Sequence, residues 1–307
     1  SELQASFAAE RPTLVASHFA LYAVPVLDRL RALPLVTHFH GPWALESGAE
    51  GASRSAVLAK MGVEQLVYRR SDRIIAMSEA FRQILLRRYR LPEHKVDMVP
   101  NGVDTAAFDL LLSRDAARER LGWEPGRSTV FTVRRLVRRM GLDRLITAWA
   151  EMRAQGHGLD AILHIAGKGP ERVVLERQVT EMGLSACIRF DGLISDEALR
   201  LSYRAADLTV IPTAALEGFG LIAAESLAAG TPVLTTPVGG LPEVVSGLST
   251  AMVLGGITAR DIAAGLSATL ADPGRMPSSS ACREYAQRTY DWTVIAPKVA
   301  ASYRSML

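Results

Sequence analysis

Short apolar runs alternate along the chain with longer amphipathic segments, and Gly, Pro, Ser and Asp clusters punctuate them. The runs predict strands at Thr13–Ser17, Leu35–Phe39, Arg73–Met77 and Val96–Val99, then at Thr129–Val133, Ala161–Ala166, Ile188–Phe190, Leu208–Ile211, Pro232–Thr235 and Ala251–Leu254. The helical periodicity falls between them: Arg54–Arg70 and Glu79–Tyr89 in the first part, and Leu142–Gln155, Glu171–Met182, Asp196–Arg204, Leu221–Ala229 and Ala259–Ala271 in the second. A last helix is expected at Thr293–Met306. Strands that are apolar on both faces and alternate with helices predict an α/β protein with parallel sheets covered on both sides. Pro100-Asn101-Gly102 is a strong turn signal between the two series. The expected organisation is therefore one domain over residues 1–108, a second over 109–290, and a closing helical segment over 291–307.

Composition narrows the picture. With 307 residues, 49% of them apolar, two domains can each bury a core. A net charge of +3 is too small to point to nucleic acid as a partner. Cys187 and Cys282 stand far apart with no second pair, which excludes a disulfide framework or a zinc pattern and predicts two buried, reduced thiols. No apolar stretch is long enough to span a membrane and no signal peptide opens the chain, so a cytoplasmic location is expected.

The strongest chemical signal is Glu217-Gly218-Phe219-Gly220-Leu221-Ile222-Ala223-Ala224-Glu225. A strand ends just before it, and its glycines let backbone amides approach a ligand without Cβ interference. The helix behind presents unpaired N–H groups and the positive end of its dipole, which suits a phosphate. Glu217 sits in the turn near where a ligand's reacting part would lie. Glu225, one to two turns on, can accept hydrogen bonds from paired hydroxyls such as those of ribose. These are the parts of a nucleotide-sugar site.

Four further segments add candidates. Val133-Arg134-Arg135-Leu136-Val137-Arg138-Arg139-Met140-Gly141 is a basic loop after the first strand of the second domain, and Ile165-Ala166-Gly167-Lys168-Gly169-Pro170 a Gly-rich turn after the next. Thr235-Thr236-Pro237-Val238-Gly239-Gly240 would again let backbone approach a ligand. In Thr37-His38-Phe39-His40-Gly41, the two histidines share one face of a strand and make half a metal site, with no third ligand evident in sequence. No Asp-x-Asp occurs anywhere in the chain, and no metal is expected.

Taken in order, these segments resemble the retaining glycosyltransferases of family 4, whose E-x7-E signature the run Glu217–Glu225 reproduces. The resemblance implies the GT-B fold of two Rossmann-like, doubly wound domains, the closing helix crossing back onto the first. Thr13–Ser17 resembles a strand that comes fourth in this family, so the N-terminal domain is expected to be truncated by roughly 70–90 residues. The implied enzyme is a hexosyltransferase-type glycosyltransferase moving sugar from a UDP- or GDP-sugar to a hydroxyl of a glycan, lipid or small molecule. It would do so with retention and without a metal or cofactor.

The resemblance also assigns residues. It places Glu217 on the donor sugar, Glu225 on the ribose and Arg135 on the diphosphate, with amides of Gly218, Phe219, Gly220 and Leu221 completing the donor pocket. Gly167 would lie against the nucleotide, the base near Leu193 and Ile194, and His40 would face the sugar from the first domain. The family's lysine, five residues after its arginine, falls on Met140. Arg139, Arg138 and Arg134 all stand as replacements, Arg139 being named for the donor site. Rival expectations are a nucleotide-sugar-binding subunit without turnover and a GT-B sugar-nucleotide epimerase. The basic stretch Lys60–Lys95 raises peripheral contact with the inner face of an anionic membrane, against the plainer expectation of a solvated amphipathic helix.

Overall fold

The computed structural model describes residues 12–307, which form two units: residues up to Pro100 together with Ile295–Leu307, and Asn101–Val294. In the first unit β1 (Val15–Ser17), β2 (Leu35–Phe39), β3 (Arg73–Ala76) and β4 (Val96–Met98) pair in sequential order, all parallel. Helices Arg54–Arg70 and Glu79–Arg87 begin at Ser53 and Ser78, whose hydroxyls accept from the N3 amides as N-caps do. Phe81 and Leu85 are buried, whereas Arg87, Arg88 and Arg90 are exposed, the arrangement of a solvated amphipathic helix. The last helix runs Trp292–Arg304, and from Ile295 onward it packs Ile295, Val299 and Tyr303 on Val36, Ile75 and Val99.

In the second unit β5 (Thr129–Val133), β6 (Ile162–Ala166), β7 (Ile188–Gly192), β8 (Leu208–Ile211) and β9 (Val233–Thr235) form a parallel sheet of order β7-β6-β5-β8-β9. Strand alternation feeds two cores: Val130 joins the cluster around Trp149, Leu145 and Ile262, and Phe131 that around Tyr203 and Ala229. Burying both faces demands the continuously apolar strands that the sequence displays. Strand order reverses between β5 and β8, and in a doubly wound sheet the crevice for a ligand opens there, beyond the carboxyl ends of those strands.

The expected strand at Ala251–Leu254 is corrected. Thr250–Met252 is a single 3₁₀ turn, and only Val253 bridges Thr235. Gly255 and Gly256 follow at once and leave too little chain for a paired strand. A helix absent from the sequence expectation covers Ser279–Tyr290, capped by Ser278. Cys187 and Cys282 are buried free thiols, as expected, and burial pushes the Cys282 thiol up to about 12. No helix among the described residues is long and apolar enough to cross a membrane.

Candidate active site

At the carboxyl end of β5 the chain enters Arg134–Met140, and at that of β8 it enters Pro212–Gly220, so the two loops meet at the strand-order reversal. They are knitted together by backbone and side chain. Ala214 N–H donates to the Arg139 carbonyl at 2.9 Å, and Arg139 Nη1 donates to the Leu216 carbonyl at 3.0 Å. Leu216 holds φ +56°, a left-handed conformation that a γ-branched residue adopts at a cost. That kink presents the next residue, Glu217.

Glu217 does not stand free in the crevice. Its Oε2 accepts from Arg134 Nη2 at 2.5 Å and from Thr213 Oγ1 at 3.3 Å. Arg134 Nη2 also donates to Thr213 Oγ1. The arginine side chain is 4% exposed and the carboxylate 17%. Arg134 Nε is buried without a hydrogen-bond partner among the described residues. Sequence reasoning left this arginine as one of three alternatives; the structure makes it Glu217's ion-pair partner.

The turn is backed by glycine. Gly239 holds φ +58°, and a Cβ there would sit 1.9 Å from the Glu217 carbonyl oxygen. Gly240 N–H donates to that same carbonyl at 3.0 Å, so the strand–loop after β9 fixes the backbone of the turn. Gly167, at φ +127°, brings the loop after β6 so close that a Cβ would lie 1.9 Å from the Arg134 carbonyl. Two further loops therefore converge on the Arg134–Glu217 pair.

Helix Leu221–Ala228 starts behind Gly220, with no side-chain cap to consume its first amides. Gly218 and Gly220 are buried in the turn, Leu221 is exposed, and Phe219 is buried edge-on against Tyr290 at 5.3 Å. The Phe219 ring thus anchors the turn from below. Glu225 is half-buried and accepts from Tyr203 Oη at 2.8 Å. Burial lifts its pKa above the usual carboxylate range, the Tyr203 hydrogen bond opposes the rise, and nearby Asp196 adds to it. Tyr203 was not singled out from sequence. Its place on the apolar face of helix Asp196–Ala205 is shared with core residues, and only its hydroxyl distinguishes it.

Arg135 is exposed and makes no ion pair among the described residues, whereas Arg139 is buried on the Leu216 carbonyl. Arg138 is exposed, and Met140 is buried. Leu193 is 72% exposed beyond β7, and Ile194 packs on the Tyr203 core.

His40 belongs to the first unit. His18 joins the expected His38–His40 pair, so a third histidine is present after all, and ligand atoms of the three lie within 4.8 Å of one another. Their rings are nearly parallel, with interplanar angles of 15–18°, and His18 Nδ1 is 3.1 Å from His40 Nε2. The contacts they make are those of a hydrogen-bonded stack, with ligand atoms close enough together to share an ion. His38 Nε2 bonds Tyr303 Oη at 2.7 Å. Partial burial, then His18 and His40, pull the His38 pKa down to about 4; burial and then His18 lower that of His40. From sequence His18, like His38, is expected to be structural; that it joins the strand pair is not legible there, because it lies in a different strand's loop.

Residues 113–289 match the family described as glycosyl transferases group 1, and residues 1–107 match glycosyltransferase family 4. The chain belongs to this family. It is a glycosyltransferase of GT-B fold. It is 31% identical over 301 residues to a D-inositol 3-phosphate glycosyltransferase of Rhodococcus opacus, an alignment covering 95% of this chain and 67% of that protein. A second relative of that description, from Segniliparus rotundus, is 32% identical over 97% of this chain and 67% of its own. The chain thus spans about two thirds of the length of these relatives. Among solved structures, sucrose-phosphate synthase from Thermosynechococcus elongatus superposes with a TM-score of 0.84 at 26% identity, covering 99% of this chain and 76% of that one. HepE from Anabaena, solved in complex with UDP, shares the fold with a TM-score of 0.82 at 20% identity, covering 99% and 81%.

Proposed function

We propose that the second unit binds a nucleoside diphosphate sugar and that the enzyme transfers the sugar to an acceptor hydroxyl with retention, without a metal ion. The carrying observation is the placement of Glu217, Glu225 and an uncapped helix start at the strand-order reversal of a doubly wound sheet. Glu225, with Tyr203 holding one oxygen, keeps the other for ribose hydroxyls. Exposed Arg135 and the amides of Gly218 to Leu221 receive the diphosphate, with Gly167 beside the nucleotide and the base against Leu193 and Ile194. Arg139 serves the site by holding the Leu216 carbonyl and thereby the turn. UDP in the HepE structure and the sugar-transferring relatives support this class of donor.

In the reaction the bond from the anomeric carbon to the diphosphate oxygen breaks, and charge builds on the leaving group. Fixed cations and oriented amides stabilise that charge without reorganising. The acceptor oxygen attacks the face being vacated, and its proton passes to the departing phosphate oxygen. Glu217 orients sugar hydroxyls. His40, whose pKa burial and then His18 hold below the ordinary histidine value, stays neutral at physiological pH. The test is to incubate the protein with UDP- and GDP-sugars plus inositol phosphate, sugar phosphate and lipid acceptors, with and without EDTA. Product of retained anomeric configuration, unaffected by EDTA, is expected. Diphosphate release only with added metal, or inversion, would overturn the reading.

The rival reading of a binding subunit without turnover draws on one observation, the closure of Glu217 onto Arg134. It predicts nucleotide binding with no diphosphate released from any sugar nucleotide.

A further inference from the structure

The donor reading asks for more positive charge than Arg135 supplies. A diphosphate leaving group carries several negative charges, and a single exposed arginine is a weak clamp for it. Elsewhere in the loop after β5, Arg138 is exposed, Arg139 is buried on the Leu216 carbonyl, and position 140 is a buried methionine. Arg134 differs from all of these. Its side chain is 4% exposed, its Nη2 touches Thr213 and Glu217, and its Nε has no acceptor.

We propose that Arg134 is the second cation on the donor's diphosphate, held in readiness by Glu217, in a loop whose position 140 is a methionine. The inference rests on the donor reading above and deepens it. The residues on either side of position 140 lie against the segment that Arg134 touches: a Cβ on Gly141 would sit 2.0 Å from the Pro212 carbonyl, and the Arg139 carbonyl accepts from Ala214 N–H. A methionine there supplies no charge, and an arginine at 134 supplies it from the start of the same loop.

The under-satisfied guanidinium explains the arrangement. Burying an N–H without an acceptor costs free energy, and that cost is relieved when a phosphate oxygen arrives. Glu217 keeps the arginine oriented and its desolvation partly offset until then. With Nη2 still on Glu217 and a further N–H on phosphate, Arg134 ties the carboxylate that reads the sugar to the group that leaves it. Arg134 thereby sets both the affinity for the diphosphate and the orientation of Glu217.

The experiment is calorimetric titration of the full chain and its variants with UDP, GDP, UMP and GMP, with folding checked by melting curves. The wild type should bind one diphosphate more tightly than its monophosphate. Arg134→Ala should weaken the diphosphate by about tenfold or more, the scale of a charge-assisted hydrogen bond, and the monophosphate by less than about threefold. Adding Met140→Lys to Arg134→Ala should restore the diphosphate to within about threefold, a rescue that repair of a merely structural defect would not give. A folded Arg134→Ala that binds the diphosphate like wild type would overturn the inference while leaving the donor reading intact. Should Arg134→Ala not fold, Met140→Lys alone decides: little change is expected because the cation is already present, and a gain of about tenfold would refute it. Failure of the wild type to bind either diphosphate would instead remove the donor reading, and this inference with it.

Discussion

The Arg134–Glu217 pair makes a double-mutant cycle the most informative stability experiment. Both charges are largely withdrawn from water, at 4% and 17% side-chain exposure, and their nearest atoms are 2.5 Å apart. At an effective dielectric constant near 20, two unit charges with centres about 4 Å apart attract by about 4 kcal/mol. The net worth of the pair is smaller because both ions were desolvated, but losing one partner strands the other. Glu217→Ala leaves the arginine only Thr213 and should cost about 3–5 kcal/mol. Arg134→Ala strands a carboxylate that is better solvated and should cost about 2–3 kcal/mol. The double variant should cost clearly less than the sum, giving a coupling of about 2–3 kcal/mol. Urea unfolding followed by tryptophan fluorescence suits the measurement, since Trp123, Trp149 and Trp292 lie in the second unit and only Trp43 in the first. A coupling below about 0.5 kcal/mol would refute the claim that the two side chains form a buried pair.

Two other outcomes follow from the geometry. His38 has a folded pKa of about 4 against 6.5 unfolded, so the unfolded chain binds the extra proton first as pH falls. Its contribution is close to neutral at pH 7 and turns increasingly destabilising as pH falls from about 6.5 toward 4. Melting curves of wild type and His38→Asn should diverge over that window, the variant losing less; parallel curves would contradict the assignment to His38 among His18, His40 and Tyr303. Gly239→Ala forces a side chain into left-handed backbone and onto the Glu217 carbonyl. It should cost about 1–2 kcal/mol for conformation alone, more for the clash, and weaken nucleotide binding; a melting temperature within a degree or so of wild type would show that the turn is not pinned there.

Much of the fold was legible because burial on both faces leaves strands little compositional freedom. Expected and observed bounds coincide at Leu35–Phe39, Thr129–Val133 and Leu208–Ile211, and for helices Arg54–Arg70 and Ala259–Ala271. Ser279–Tyr290 escaped because its buried positions are Cys282, Tyr285, Ala286 and Tyr290, only weakly apolar as a pattern. Ala251–Leu254 misled for the opposite reason: apolar residues there fill the core without room to pair. At the site, Glu217, Glu225 and the glycine turn were readable from spacing, since backbone approach demands glycine. The ties of Arg134 to Glu217, Tyr203 to Glu225 and His18 to His40 were not, because the fold brings each partner near: Glu217 lies 83 residues from Arg134, and Glu225 lies 22 from Tyr203.

The central claim, a nucleoside diphosphate sugar held in the second unit with its ribose on Glu225, is tested most directly by calorimetric titration with UDP and GDP, repeated on Glu225→Ala. The account predicts micromolar binding of one nucleotide, lost in the variant while the melting temperature holds. Binding that survives in Glu225→Ala, or no binding by the wild type, would contradict it.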